Sequence, residues 1–159
     1  MGISIGPFWG PNFSQALDPR FPFLQSPFRD CRLVEQHVTG PNLKPIFKIG
    51  GRGSVGLQSL CGIPYLFHIR IACSRQNIPL HFWPFDGWDS KDYRHFLVEW
   101  YPAIHNRGPK SDEKDACACV EWAKDMDEQG MLSDYFAPPL SNSEKAQAEV
   151  EGWILGVRE

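Results

Sequence analysis

The sequence predicts an α/β fold in which strands and helices alternate in the middle of the chain and helices close it. Three observations predict it. Leu80-His81-Phe82-Trp83 and Phe96–Tyr101 are short apolar and aromatic runs, each ended by a proline, as strands often are. An apolar segment from about Ser54 to Gln76 precedes them with helical spacing. Two capped helical patterns come after them, opening near Ser111 and Ser141. With 159 residues, 42% of them hydrophobic, the chain is long enough for one domain and too apolar for a disordered one.

Sixteen basic side chains face 19 acidic ones, a net charge of -3. That excludes a histone-like polycation, but not an enzyme that grips nucleic acid through a local site. The five cysteines (Cys31, Cys61, Cys73, Cys117, Cys119) are odd in number and include no C-x-x-C. Residues 1–15 show no basic start followed by an apolar run. A reducing, cytoplasmic setting is therefore expected. No stretch offers the ~20 apolar residues of a membrane span, so no membrane partner is expected. Cys117 and Cys119, two apart on an expected helix, point to different faces and make a poor metal pair.

Residues 1–45 hold seven of the 14 prolines and five of the 11 phenylalanines. Proline blocks helix and central strand, while the aromatics still seek burial. This region is expected to be an irregular arm packed on a body at 46–159, with a short helical or extended piece near Phe28–Val38. The arm also offers a surface for self-association.

Ile46–Ile49 is a short apolar run before Gly50, Gly51, Gly53 and Gly56. The helix expected over Ser54–Gln76 is interrupted by Gly62 and Pro64, a kink or a fresh start. Ser111 is a suitable N-cap for a helix over Asp112–Gln129, with Asp112 and Glu113 at its positive end and Gly130 as its stop. Ala116, Val120, Ala123 and Asp127 share one face of it; Cys119, Ala123 and Met126 lie beside that face. Met131–Phe136 reads as a short helical turn before Pro138-Pro139. Ser141-Asn142-Ser143-Glu144 is a capping box, and the last helix is expected to run to about Val157. Its expected core face is Ala146, Val150, Trp153, Ile154 and Val157.

Three constellations bear on chemistry. Gly51-Arg52-Gly53-Ser54-Val55-Gly56 matches G-x-G-x-x-G between an apolar run and a helix. A tight turn for close helix packing explains it. So does a phosphate-receiving loop in which Lys48, Arg52, Gly53 and Ser54 meet a nucleic-acid backbone. A dinucleotide site is the weakest choice, because Asp86 lies about thirty residues past Gly56 and the ribose acid belongs roughly 20 on. Glu99 sits near the end of the best strand, where ligands gather in open α/β sheets. An acid in so apolar a run needs a partner, and a divalent metal is one. Asp112 and Asp115, three apart at a helix start, share a face. With Glu99 they would form an all-oxygen site suited to Mg²⁺ or Mn²⁺ rather than zinc. Such sites serve phosphodiester cleavage, one metal activating water and the other steadying the leaving oxygen. First-turn acids are equally common as plain dipole partners. The histidines (His37, His68, His81, His95, His105) show no metal spacing, and no serine sits in a nucleophile elbow.

Several strings together resemble a known family. They are Phe47–Gly56, Leu60-Cys61-Gly62-Ile63-Pro64, Trp83-Pro84-Phe85-Asp86, Val98-Glu99-Trp100-Tyr101-Pro102, Lys110-Ser111-Asp112 with Asp115-Ala116, Tyr135–Pro139, Ala146-Gln147 and Glu151–Val157. Over about residues 5–158 the chain is similar to the predicted RNase H-like nuclease family catalogued as domain of unknown function 429. The resemblance implies an RNase H-like mixed sheet, with Glu99 as its fourth-strand acid and Asp115, assisted by Asp112, as its helix acid. It implies two Mg²⁺ or Mn²⁺ ions, a nucleic acid substrate, and phosphate contacts from Lys48 or Lys110. Residues 1–45 depart from the pattern. The family opens with an aspartate-bearing strand and a hairpin, whereas here Asp18 precedes Pro19 and Asp30 lies in a polar stretch. The expectation is therefore an incomplete sheet lacking the first three strands, with C-terminal helices after it, in an N-terminally short member of the family. A metal-dependent nuclease, inactive as this short chain if the missing acid is essential, is the expected function. The alternative is a non-catalytic binding or assembly module derived from the same fold.

Overall fold

A computed structural model describes residues 31–38, 46, 48, 56–89, 95–106, 108 and 111–158. The chain divides into two compact units. The first holds residues 1–31 and 43–76, and its described part is dominated by one helix, α2, at Gly56–Arg75; α1, at Leu33–His37, belongs to the second unit. Helix α2 continues through Gly62 and Pro64, so no fresh helix starts at Pro64. Its apolar side chains point all ways, and Ile63, Tyr65 and Phe67 are exposed.

The second unit holds residues 32–42 and 77–159. Its described elements are α1 (Leu33–His37), β1 (Leu80–Phe82), β2 (His95–Leu97), a 3₁₀ turn at Pro102–Ile104, α3 (Asp112–Glu128), α4 (Leu132–Phe136) and α5 (Asn142–Glu151). Strands β1 and β2 are parallel, with Leu80 opposite His95 and Phe82 opposite Leu97. The fold is thus α/β, and the sheet among the described residues has two strands.

Strand β2 is shorter than the predicted run through Tyr101. Its last bond to the first strand's side is Trp83 N–H to Leu97 O at 3.1 Å. Beyond it the neighbouring segment turns away from β2, Asp86 N–H returning to Phe82 O at 2.9 Å. The chain past β2 then changes partner: Glu99 bridges Ile154 in parallel, and Glu99 O accepts from Leu155 N–H at 2.9 Å.

Helix α3 is capped as expected, Ser111 Oγ accepting from Lys114 N–H at 3.3 Å, and Gly130 comes after it with φ +67°. Of its expected faces, the one carrying Cys119 is buried, while Val120 is exposed and Cys117 points outward. The capping box of α5 forms, with Ser141 N–H donating to Glu144 at 2.8 Å. These bonds hold the Glu144 carboxyl below its usual range.

Helix α5 does not reach Val157. It ends at Glu151, because Gly152 takes φ +87°, outside the helical region. Ala148, rather than Ala146 or Val150, is its fully buried residue, and Val150 is 81% exposed. Trp153, Ile154 and Val157 are buried as expected, but on an irregular segment after the helix. The core joins them to Leu33, Val34, Trp83, Leu140, Ala148 and Leu155. Its indoles are satisfied by backbone carbonyls: Trp83 donates to Phe136 O at 3.2 Å and Trp153 to Val157 O at 3.3 Å.

Candidate functional site

The residues with most to say chemically lie where the chain leaves β2. Glu99 stands two residues past that strand, its backbone fixed by Leu155 and its side chain 44% exposed. Its carboxylate meets Arg32 from the N-cap position of α1. Arg32 Nη1 donates to Glu99 Oε2 at 2.5 Å and Nη2 to Oε1 at 2.8 Å, a two-point fork. The same guanidinium serves Glu35 through Nε at 2.8 Å and Nη2 at 2.6 Å. Nη1 also reaches Glu151 O at 3.4 Å. All five N–H donors are thereby used, on a side chain only 13% exposed. Burial opposes the charge, but the bonds from Glu99 and Glu35 outweigh it and hold Arg32 more firmly protonated than a free arginine.

Local structure places these groups. Glu35 sits on the first turn of α1, where its Oε2 also accepts Arg32 N–H at 2.5 Å. Glu151 closes α5 and accepts Leu33 N–H at 2.8 Å, while Gln147 donates to its other oxygen at 2.8 Å. Gly152 makes the approach possible: a Cβ there would lie 3.2 Å from Arg32 Nη1 and 3.0 Å from the Phe85 ring.

Further along, the 3₁₀ turn carries the chain to Asn106, whose N–H donates to Pro102 O at 2.8 Å. Asn106 Nδ2 donates to Asp115 Oδ1 at 2.5 Å, and its Oδ1 accepts Gly108 N–H at 2.8 Å. Asp115 is half-buried in the first turn of α3, whereas Asp112 is exposed. Burial, aided by the Asp115 charge, pushes the Cys119 thiol pKa up, one turn further along the helix. Beside this turn, His105 stacks on Trp122 at 4.4 Å between ring centroids. Gly156, at φ +99°, leaves room for it; a Cβ would lie 2.8 Å from His105 Nε2.

Each acid picked out by sequence therefore has a definite place. Glu99 is joined to Arg32, Asp115 to Asn106, and Asp112 faces solvent at the helix start. Among the described residues, no three His, Cys, Asp or Glu side chains form a group able to hold a metal ion. Of the expected phosphate contacts, Lys48 is half-buried in the first unit; Arg52, Gly53, Ser54 and Lys110 lie outside the described residues.

Sequence reasoning missed Arg32, Glu35, Asn106 and Glu151. The spacing Arg32-x-x-Glu35 was the available signal, since a Glu three residues into a helix reaches back to its N-cap. Nothing local marks Arg32 as the partner of Glu99, 67 residues away. Among the described residues, no helix is long and apolar enough to cross a membrane. Comparison with family models, with curated proteins and with solved structures finds no match.

Proposed function

We propose that the chain is an RNase H-like, divalent-metal-dependent nuclease that hydrolyses phosphodiesters of a nucleic acid in the cytoplasm. The motif combination around Glu99 and Asp115 suggests it. One observation carries it furthest: Glu99 is an exposed carboxylate just past the carboxyl end of a parallel strand, and Asp115 opens the next long helix. Glu99 and Asp115 are the metal-holding acids in this proposal, with Asp112 assisting and Mg²⁺ or Mn²⁺ as the cation. Lys48, Arg52, Gly53, Ser54 and Lys110 are its phosphate contacts.

The purified chain should cleave single- or double-stranded DNA or RNA in Mn²⁺ but not in EDTA. Glu99→Gln should reduce that cleavage by about 10²-fold or more, as expected for a group whose charge the reaction needs. Absence of Mn²⁺-dependent cleavage on all four substrates would sink the proposal, as would full activity in Glu99→Gln.

A second proposal is favoured by a specific observation, the two-point pairing of Glu99 with Arg32. In it the fold is a non-catalytic binding or assembly module, Glu99 serves as a structural anion, and the Pro- and Phe-rich arm mediates self-association. A concentration-dependent sedimentation coefficient, lost when the arm's phenylalanines are replaced by serine, is the expected result.

A further inference from the structure

We infer that α2 docks on α3 of a second copy of this chain, so that two copies pair through two equivalent α2–α3 contacts. The inference stands apart from the nuclease reading. It places self-association in the helices rather than in the Pro- and Phe-rich arm.

Helix α2 is apolar on all sides, and such a helix is normally covered. Yet no residue from Gln58 to Arg75 is buried. Leu60, Ile63 and Phe67 are 39%, 57% and 61% exposed. With Arg70 and Ser74 they follow one another at alternating steps of three and four residues, the spacing of a helix-pairing seam.

Charge points to the occupant. No Asp or Glu occurs between Glu35 and Asp86, so α2 carries Arg70 and Arg75 and no acid. The unit that holds α2 has seven Lys and Arg against two Asp and Glu, a net charge of +5. The other unit has nine against 17, a net charge of -8. Two α2 helices would repel each other. The surface that fits α2 is an acidic helix with a small apolar centre.

Helix α3 is such a surface, and every copy of the chain carries it. Seven of its 17 residues are acids, against two lysines. Glu113, Cys117, Val120, Lys124 and Asp127 lie along its exposed side at alternating steps of four and three. Val120 is 66% exposed, and Cys117 beside it is exposed and small. Small apolar side chains in the middle leave room for Ile63 and Phe67, and acids at both ends meet the arginines. Lys124 is already engaged by Glu128 at 3.7 Å. Two α3 helices would repel each other as two α2 helices do. Two-fold pairing serves both copies at once, because each gives one α2 and receives one on its α3.

The test is sedimentation equilibrium of the full chain and its variants. The parent chain should form dimers. Ile63→Asp and Val120→Asp should each weaken the dimer by about tenfold or more, since each buries an unpaired carboxylate in the contact. Mixed in equal amounts, the two variants should associate more tightly with each other than either does with itself, because the mixed pair keeps one intact α2–α3 contact. A monomeric parent chain would overturn the inference. So would an undisturbed dimer in either variant, which moves the contact to the arm or another surface, or a mixture no tighter than its components. Circular dichroism checks that the variants fold; if Ile63→Asp does not, Phe67→Asp takes its place. The two readings fail separately. Cleavage by a monomeric chain removes the pairing and keeps the nuclease, and a dimer that cleaves no nucleic acid does the reverse.

Discussion

His105 shows how a single residue ties composition to pH response. Its ring is stacked on Trp122 and edge-on to Trp100, and its Nε2 is buried without a hydrogen-bond partner among the described residues. Burial lowers its pKa from 6.5, so the folded state holds it neutral where the unfolded chain takes up a proton. The unfolded state therefore binds more protons below about 6.5, and stability must fall as the pH drops through that value. Urea unfolding between neutral and mildly acid pH should show this loss, and His105→Phe should flatten it. At this scale the sequence is only half legible. Glu99 and Asp115 stand out as acids in apolar surroundings, and both are held by specific partners. Arg32 is invisible as a partner because it lies 67 residues from Glu99, and Asn106, nine residues before Asp115, because a loop brings it to the helix start with no repeating pattern.

Elements are more legible than residues, and the exceptions have physical causes. Ser111 and Ser141 cap the helices expected of them, because capping depends on three or four consecutive residues. Strand β2 ends early because the neighbouring segment turns back on itself after Phe82, and α5 ends early through a glycine at positive φ. Neither cause is readable from the element's own apolar spacing. The expected helical phase of α5 fails for the same reason, since Trp153 and Ile154 lie beyond the point where the helix stops. The observed phase makes opposite demands on two nearby positions. Ala148→Leu should cost about 1–3 kcal/mol by overfilling the core. Val150→Lys should change stability by no more than about 0.5 kcal/mol. Chemical denaturation of the two variants checks the assignment.

For the whole molecule, the α/β class is legible in the sequence and the division of the chain is not. Residues 32–42 belong with 77–159, although the Phe- and Pro-rich composition groups them with the residues before them. What draws them there is the burial of Leu33 and Val34 in a core otherwise built from residues 83 to 157. Val34 is fully buried, and Val34→Ala should remove about 2 kcal/mol, measured by urea titration. The tie between Leu33 N–H and Glu151, across 118 residues, also has a kinetic side. Closing so long a loop is entropically costly, so contacts of this kind form after local helices and slow the search. Docking of α1 is then expected to come after the rate-limiting barrier, so that Val34→Ala speeds unfolding and leaves the refolding rate nearly unchanged. The seam between α1 and α5 is thus expected to be where the native state first comes undone, so that its strength sets the lifetime of the folded chain.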